Sequence, residues 1–342
     1  MGDYLAQFIN FMRSVDCAPT SPEGIIADDK RHYYQIEGDK RGVKKGVYCL
    51  LIDENGAVGW CKNYREGVNH GWSSKVKKEW SEQEKADWKK RIAEKKSQDE
   101  AESEKLKAIA AKKSNDIFKR SKPANNHPYI ERKGIKSTGA YICDGVKLRD
   151  DLPDINNALI IPAYKNGKIS TIQVITEDGE KLFFSDGDIQ GAYGVIKTSQ
   201  DMSVLYICEG FATGASINEA TGKNVIIAFN AGNLKPVTIA IKSKYPDAKI
   251  VIAADNDAWR FKYPRNKAVK DVNRHDIAGD DARWAEWLDA GYLENKGIIE
   301  ARQAAIAIGG ASVIYPEFED KADKPTDWND AHKLYGLDWI RI

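Results

Sequence analysis

The sequence predicts an α/β protein. A mostly parallel sheet flanked by helices follows a mixed α+β subdomain, a long charged connector helix and a small N-terminal β-rich domain. Three observations predict this. Residues 201–320 alternate strand-length apolar runs with helix-length segments, the βαβ pattern of a parallel sheet. Residues 1–75 carry short strand-like runs joined by hairpin-turn sequences. Residues 76–120 are dominated by Lys, Glu and Ala. The implied divisions are 1–75, 76–120, 121–200 and 201–342, the last with a polar insertion at 258–296.

In chain order, a leading helix is expected near Tyr4–Val15. HYYQI (32–36), VYCLLI (47–52) and AVGWC (57–61) follow as strands, with GDKRGVKKG and DENG as the turns between them. Ser81 with Glu84 forms a capping box ahead of the charged run. The run's apolar positions, Trp88, Ile92, Leu106 and Ile109, are too sparse for a core face. A solvated connector laced by i,i+4 pairs is therefore the simpler reading, and a basic arm along a phosphate backbone is the alternative. ALIIPAY (158–164), STIQVIT (170–176) and EKLFF (180–184) are strand-like and separated by the turns KNGK and EDGE. The parallel-sheet strands are VLYIC (204–208), VIIAF (225–229), KIVIAAD (249–255) and ASVIYP (311–316), with helices near 214–221, 235–244 and 297–308. Thr213 is placed to cap the first of these helices.

The chain has 342 residues, enough for two or three domains, with 42% hydrophobic and 30% charged residues. No apolar run reaches the roughly 20 residues of a membrane span, and the N-terminal MGDYLAQFINFMRSVD has no secretory pattern. A cytoplasmic protein with no membrane partner is expected. Cys17, Cys49, Cys61, Cys143 and Cys208 include no CxxC pair, which argues against a zinc ribbon and a disulfide framework, so no zinc is expected. The formal net charge is +1, so any nucleic-acid surface must be local.

The chemistry is predicted at strand ends, because ligands of parallel α/β sheets bind outside the carboxyl ends of the strands. One strand ends at Glu209, and another ends in Asp255-Asn256-Asp257. In extended chain, residues i and i+2 share a side, so Asp255 and Asp257 project together and Glu209 faces them if the strands are neighbours. Packed carboxylates repel, and a hard divalent cation such as Mg²⁺ offsets that repulsion while leaving sites for substrate phosphates. Glu209 is also a candidate general base toward a sugar hydroxyl. Simpler readings stand beside these: Glu-Gly as a turn, and Asp-Asn-Asp as an Asx turn or helix cap. Asn230, Gly232 and Asn233 end the second strand at the same edge, where they are expected either to line the site or to cap the next helix. There is no GxxxxGK[ST] loop and no GxGxxG fingerprint, which removes support for a P-loop helicase or a Rossmann dehydrogenase.

Glu…DxD at adjacent strand ends is the signature of the TOPRIM domain. ICEGFATGASINEATG, AFNAGNL, YPDAKIVIAADND, GIIEARQAAIAIGGASVIYP and PTDWNDAH resemble the TOPRIM module of phage- and plasmid-encoded primases. HPYIERKGI, IIPAYKNGKISTIQVITEDGEKLFF and GAYGVI resemble the primase-core segment that precedes it. GDKRGVKKGVYCL and WSEQEKADWKKRIAE are similar to the N-terminal part of those proteins.

The resemblance implies that Glu209, Asp255 and Asp257 are catalytic and metal-holding, with Asp327 and Asp330 as further metal ligands and Asn329 beside them. It implies Mg²⁺ or Mn²⁺. Lys181, Gln173, Arg132 and Lys133 become candidates for template or nucleotide contact. Arg260 and Lys262, in the aromatic and basic start of the insertion, are candidates for stacking on bases or an NTP.

The activity expected by this resemblance is a DNA primase, a nucleotidyltransferase joining NTPs on a single-stranded DNA template, with room for a replicative helicase as partner. A TOPRIM nuclease using the same acids, or a non-catalytic nucleic-acid-binding accessory protein, remains an alternative. A type I topoisomerase would need a tyrosine nucleophile in a large arch, for which this chain is short.

Overall fold

The computed structural model describes residues 3–39, 44–53, 56–64, 68–74, 82–149, 153–184, 186–257, 295–319 and 323–340. The chain divides into two compact units, residues 1–98 and 99–342. The predicted segments 121–200 and 201–342 therefore share one unit.

In the first unit, helix α1 (Tyr4–Ser14) starts at Asp3, whose carboxylate accepts the Ala6 N–H. Strands β1 (His32–Tyr34), β2 (Gly46–Asp53), β3 (Gly56–Asn63) and β4 (Val68–Ser73) form an antiparallel sheet in that order. β3 alternates half-buried and buried residues, and the buried set includes Cys61. That face packs on Phe8 and Met12 of α1 with Tyr48 and Leu50. β4 was not predicted, because VNHGWS lacks a run of β-branched residues.

Helix α2 runs Glu82–Arg120. The Ser81–Glu84 box lies outside the described side chains. In the second unit the stripe of α2 that packs is Ala110, Ser114 and Ile117, spaced four and three apart, all buried. Ile109, expected among the apolar positions, is instead 53% exposed. Small residues made this stripe hard to read from sequence. It covers one face of a second antiparallel sheet, β5 (Lys122–Pro123), β6 (Tyr141–Cys143), β7 (Ala158–Lys165), β8 (Lys168–Ile175) and β9 (Lys181–Leu182). Helix α3 (Pro128–Lys133) lies between β5 and β6 and is capped by His127 Nδ1, which accepts the Tyr129 N–H.

The third sheet has the order β10 (Gly194–Ile196), β12 (Asn224–Ile227), β11 (Val204–Cys208), β13 (Lys249–Ala253), β14 (Ser312–Ile314). β12, β11, β13 and β14 are parallel, and β10 is antiparallel to β12. Leu205 and Ile207 of β11 pack with helices α5 (Leu234–Lys244) and α6 (Lys296–Ala307). Tyr206 and Cys208 pack on the opposite face, against α4 (Phe211–Thr221), Trp328 of α7 (Trp328–Tyr335) and Ile340 of α8 (Leu337–Ile340). Burial on both faces is why VLYIC reads as an uninterrupted apolar run. Thr213 is not a cap: Gly210 precedes the first turn of α4, and Thr213 is buried within it.

Candidate active site at the carboxyl edge of the parallel sheet

β11 and β13 are hydrogen-bonded parallel neighbours with Cys208 opposite Ala253. Glu209, one residue past β11, and Asp255, two past β13, therefore leave the sheet at one edge. Helix α6 begins against them. A Cβ placed on Gly297 would press into the Asp255 carbonyl and lie 3.2 Å from Glu209 Oε1. Glycine at this position lets the helix start sit directly on the acidic turn.

The Asp255 carboxyl is half-buried, and its Oδ1 is a buried atom with no hydrogen-bond partner. Burial pushes this carboxyl well above the ordinary carboxylate range. The charges of Glu209, Asp327 and Asp257 add to the rise, and Lys181 opposes it. Asp327 is raised for related reasons, burial first and then Asp330, against the pull of an N–H bond, Lys133 and Lys181. Glu209, Asp255, Asp257, Asp327 and the ammonium of Lys181 thus share one electrostatic field. Lys181 Nζ lies 3.8 Å from where a Cβ on Gly210 would be.

Among the described residues, no three acidic, histidine or cysteine side chains converge as a closed cation cage. The predicted meeting of three acids around one ion is in this respect too tight. The donor set still fits Mg²⁺ or Mn²⁺. Mg²⁺ characteristically takes one or two carboxylates and leaves its other positions to water and phosphate, and the partnerless Oδ1 of Asp255 is the sort of buried anion that needs a cation.

The turn carrying Asp255 and Asp257 is held by a residue that sequence reasoning missed. Asn295, at the N-cap of α6, accepts the Asp257 N–H through Oδ1 at 3.1 Å and the Ile298 N–H at 3.3 Å. Its Nδ2 donates to Asn256 Oδ1 at 2.7 Å. Asn256 donates in turn to the carbonyls of Pro316, from Nδ2 at 2.8 Å, and Thr326, from its N–H at 2.7 Å. An Asn before a helical run is a cap signal, but sequence alone could not tie it to a turn 39 residues earlier.

Several predicted site residues have other work. Asp327 and Asp330 form a capping box on α7. Asp327 Oδ1 accepts the Asp330 N–H at 2.8 Å, and Asp330 Oδ2 accepts the N–H groups of Thr326 and Asp327. Asp330 is thereby committed to the helix start, while Asp327 also faces the acidic field. Asn329 is fully buried, its Nδ2 donating to the Lys133 carbonyl at 2.9 Å and Ser216 Oγ at 3.1 Å, so it braces α7 rather than meeting a nucleotide. Asn233 is buried as well. Its Nδ2 donates to the carbonyls of Ile189, Ala192 and Ala228, and its Oδ1 accepts the Gly191 N–H. Asn230 accepts the Asn233 N–H, the capping alternative, and with Gly232 remains exposed. Phe229, just before it, holds φ +70°, a strained conformation for a bulky residue, with its ring edge-on to Phe183 at 5.4 Å.

Gln173 is buried on β8 opposite Ile161, within the unit's core. Arg132 is exposed and donates to the Glu177 carbonyl at 3.0 Å, closing the β8–β9 turn. Lys133 is close enough to lower the carboxyl of Asp327. Arg260 and Lys262 lie outside the described residues, as does nearly all of the insertion.

Residues 204–338 match the Toprim domain family. Over 263 residues, 73% of this chain, the sequence is 31% identical to a DNA primase TraC of Escherichia coli, of which that match covers 23%. It is 33% identical over 240 residues to a second Escherichia coli DNA primase TraC, covering 68% of this chain and 16% of that protein. The chain thus spans less than a quarter of the length of these relatives. Among solved structures, the RNA polymerase domain of Mycobacterium tuberculosis primase DnaG aligns at 11% identity and TM-score 0.35, covering 70% of this chain and 82% of that one. Aquifex aeolicus primase aligns at 9% identity and TM-score 0.39, covering 100% and 84%.

Proposed function

We propose that this chain, with its Toprim domain over residues 204–338 and its similarity to plasmid-type primases, is a metal-dependent DNA primase. It would act in the cytoplasm, joining NTPs into short RNA primers on single-stranded DNA, in phage or plasmid replication and with room for a replicative helicase partner. The observation that carries the reading is the juxtaposition of Glu209 and Asp255 at one edge of neighbouring parallel strands, with Asp257 and Asp327 in the same field.

Glu209, Asp255 and Asp257 would hold Mg²⁺ or Mn²⁺, with Asp327 adding negative charge close by. When bound, the ion would neutralise charge on the reacting phosphate and orient its oxygens. Glu209 would accept the proton of the attacking 3′-hydroxyl. Lys181, on β9 beside Gly210, would bring an ammonium to the triphosphate. Lys133 would add positive charge on the α3 side. The Asn295 network would fix the two aspartates before substrate arrives, so that little reorganisation remains for the reaction.

The test is incubation with single-stranded DNA, labelled NTPs and Mg²⁺ or Mn²⁺. Short labelled products that disappear in Asp255→Asn are expected. Shortening of the input DNA without synthesis would replace this reading with a nuclease, and binding without either reaction would leave an accessory protein.

A further inference from the structure

We propose that Phe183 is a stacking platform for the base of the incoming nucleoside triphosphate, held in place by the strained Phe229. β9 and the residues after it alternate between two faces. Leu182 lies opposite Val174, and both pack with Phe184 in the core beneath α2. Lys181 lies opposite Ile175, which belongs to the core shared with the parallel sheet. In extended chain, residues i and i+2 share a side, so Phe183 is turned with Lys181 toward the parallel sheet. The contacts made there follow the strand order. Lys181 Nζ lies 3.8 Å from where a Cβ on Gly210 would be, just past β11. The Phe183 ring meets Phe229 edge-on, with 5.4 Å between ring centres, just past the neighbouring β12. The Ala228 N–H donates to the Cys208 carbonyl at 2.8 Å, so the β11–β12 ladder reaches this far and sets Phe229 beside the Glu209–Gly210 turn.

Phe229 fixes the pair. Its φ of +70° is one that a bulky residue keeps only where its surroundings impose it, and such strain collects at functional sites. Its ring packs against the buried core between the sheets, and a Cβ on Gly194 would come within 3.1 Å of its Cζ. Phe183 is only half-buried, and Lys181 beside it is exposed. A ring and an ammonium thus stand two residues apart on one face, roughly 7 Å along the strand, next to the acidic edge. The ammonium suits phosphate oxygens and the ring suits a base, so the two match the ends of one nucleotide. Stacking tolerates every base, because each has a π-face, and a site that must accept successive different NTPs needs that tolerance.

That the ligand is a triphosphate rests on the primase reading. The test is calorimetric titration of the full chain with ATP, and separately with inorganic tripolyphosphate, in Mg²⁺ and without template, so that no synthesis is required. Phe183→Ala is expected to weaken ATP binding about tenfold and to leave tripolyphosphate binding unchanged. Phe183→Trp should restore ATP binding. Phe183→Leu, which keeps apolar bulk without a π-face, should remain close to Phe183→Ala. Lys181→Ala should weaken both ligands, and Tyr64→Ala, which removes an exposed ring of the first unit, should weaken neither. In primer synthesis, Phe183→Ala should raise KM for each NTP and leave kcat little changed.

The platform is refuted if Phe183→Ala binds ATP like the parent, if it weakens ATP and tripolyphosphate equally, or if Phe183→Leu matches the parent. It is also refuted if Phe183→Ala, with unaltered circular dichroism, weakens binding of a labelled oligothymidylate but not of ATP, which would give the ring to the template. Primer synthesis with ATP binding indifferent to Phe183 would overturn the platform alone. Phe183-dependent ATP binding with no synthesis would overturn the primase reading alone.

Discussion

Glu209 and Gly297 meet at the edge of the parallel sheet, with the glutamate's Oε1 3.2 Å from the place a Gly297 side chain would begin. The Asp255 carbonyl lies closer still. Gly297→Ala must therefore move either the acidic turn or the first turn of α6, and backbone on both sides resists. Overpacking of this sort costs about 1–3 kcal/mol. The expected outcome is a loss of nucleotide incorporation of more than about tenfold, because the displaced groups are the proposed catalytic ones. Steady-state incorporation alongside thermal melting measures both effects, and an Ala variant with parental activity would refute the close approach.

Asp255→Asn should abolish activity yet raise the melting temperature. The Asp255 carboxyl is raised above its unfolded value, chiefly by burial and by the neighbouring negative charges. A raised carboxyl binds more protons in the folded state than in the unfolded one. Its contribution to stability is therefore present at pH below the unfolded value near ~3.9 and is lost as pH rises through the folded value. The neutral amide removes that loss at pH 7. A rise of a few degrees, the order produced by about 1 kcal/mol, is expected by calorimetry. A melting temperature that drops would contradict it.

Mg²⁺ and protons should compete at the same carboxyl. Raising Mg²⁺ is expected to stabilise the parent and to move the rising limb of its pH–activity profile toward lower pH. The Asp255→Asn protein should lose most of that thermal response to Mg²⁺. An equal response in both proteins would place the ion elsewhere.

Asn295→Ala removes three hydrogen bonds that hold the Asp255–Asp257 turn and the start of α6. Loss of the cap is expected to cost about 1 kcal/mol. The larger effect should be on metal use, with half-maximal activity needing several-fold more Mg²⁺, since the aspartates are no longer pre-positioned. A variant that is less stable but has an unchanged Mg²⁺ requirement would reduce Asn295 to a helix cap.

Asn233→Ala should behave differently. It leaves three buried carbonyls and one N–H without their partner. A loss of about 2–4 kcal/mol is expected from denaturant unfolding. At a temperature where the variant remains folded, KM for NTPs should match the parent, whereas a selective rise in KM would return Asn233 to the nucleotide site.

Much of the architecture was legible along the chain. VLYIC and KIVIAAD announced buried parallel strands because both faces of each are covered, and the Glu and Asp at their ends announced a ligand edge because little else places charge there. The order of strands, with β13 directly beside β11, is what brings Glu209 and Asp255 to one edge of the sheet, and no local pattern encodes it. The same sequence signals also pointed to polar residues whose roles the packing reassigned. Asn233, Asn329 and Asp330 carry side chains suited to nucleotide or metal contact, yet each is taken up by backbone groups or by a buried brace.

The sequence by itself thus determined the strands and helices with strong apolar runs and the acidic residues at the strand ends, because propensity and periodicity are local properties, whereas β4 and the small-residue stripe of α2 escaped it. Only the tertiary structure decided which polar groups remain available for chemistry. A hydrogen bond to a partner tens or hundreds of residues away, such as Asn295 to Asn256 or Asn329 to Lys133, satisfies a side chain that the local sequence leaves open.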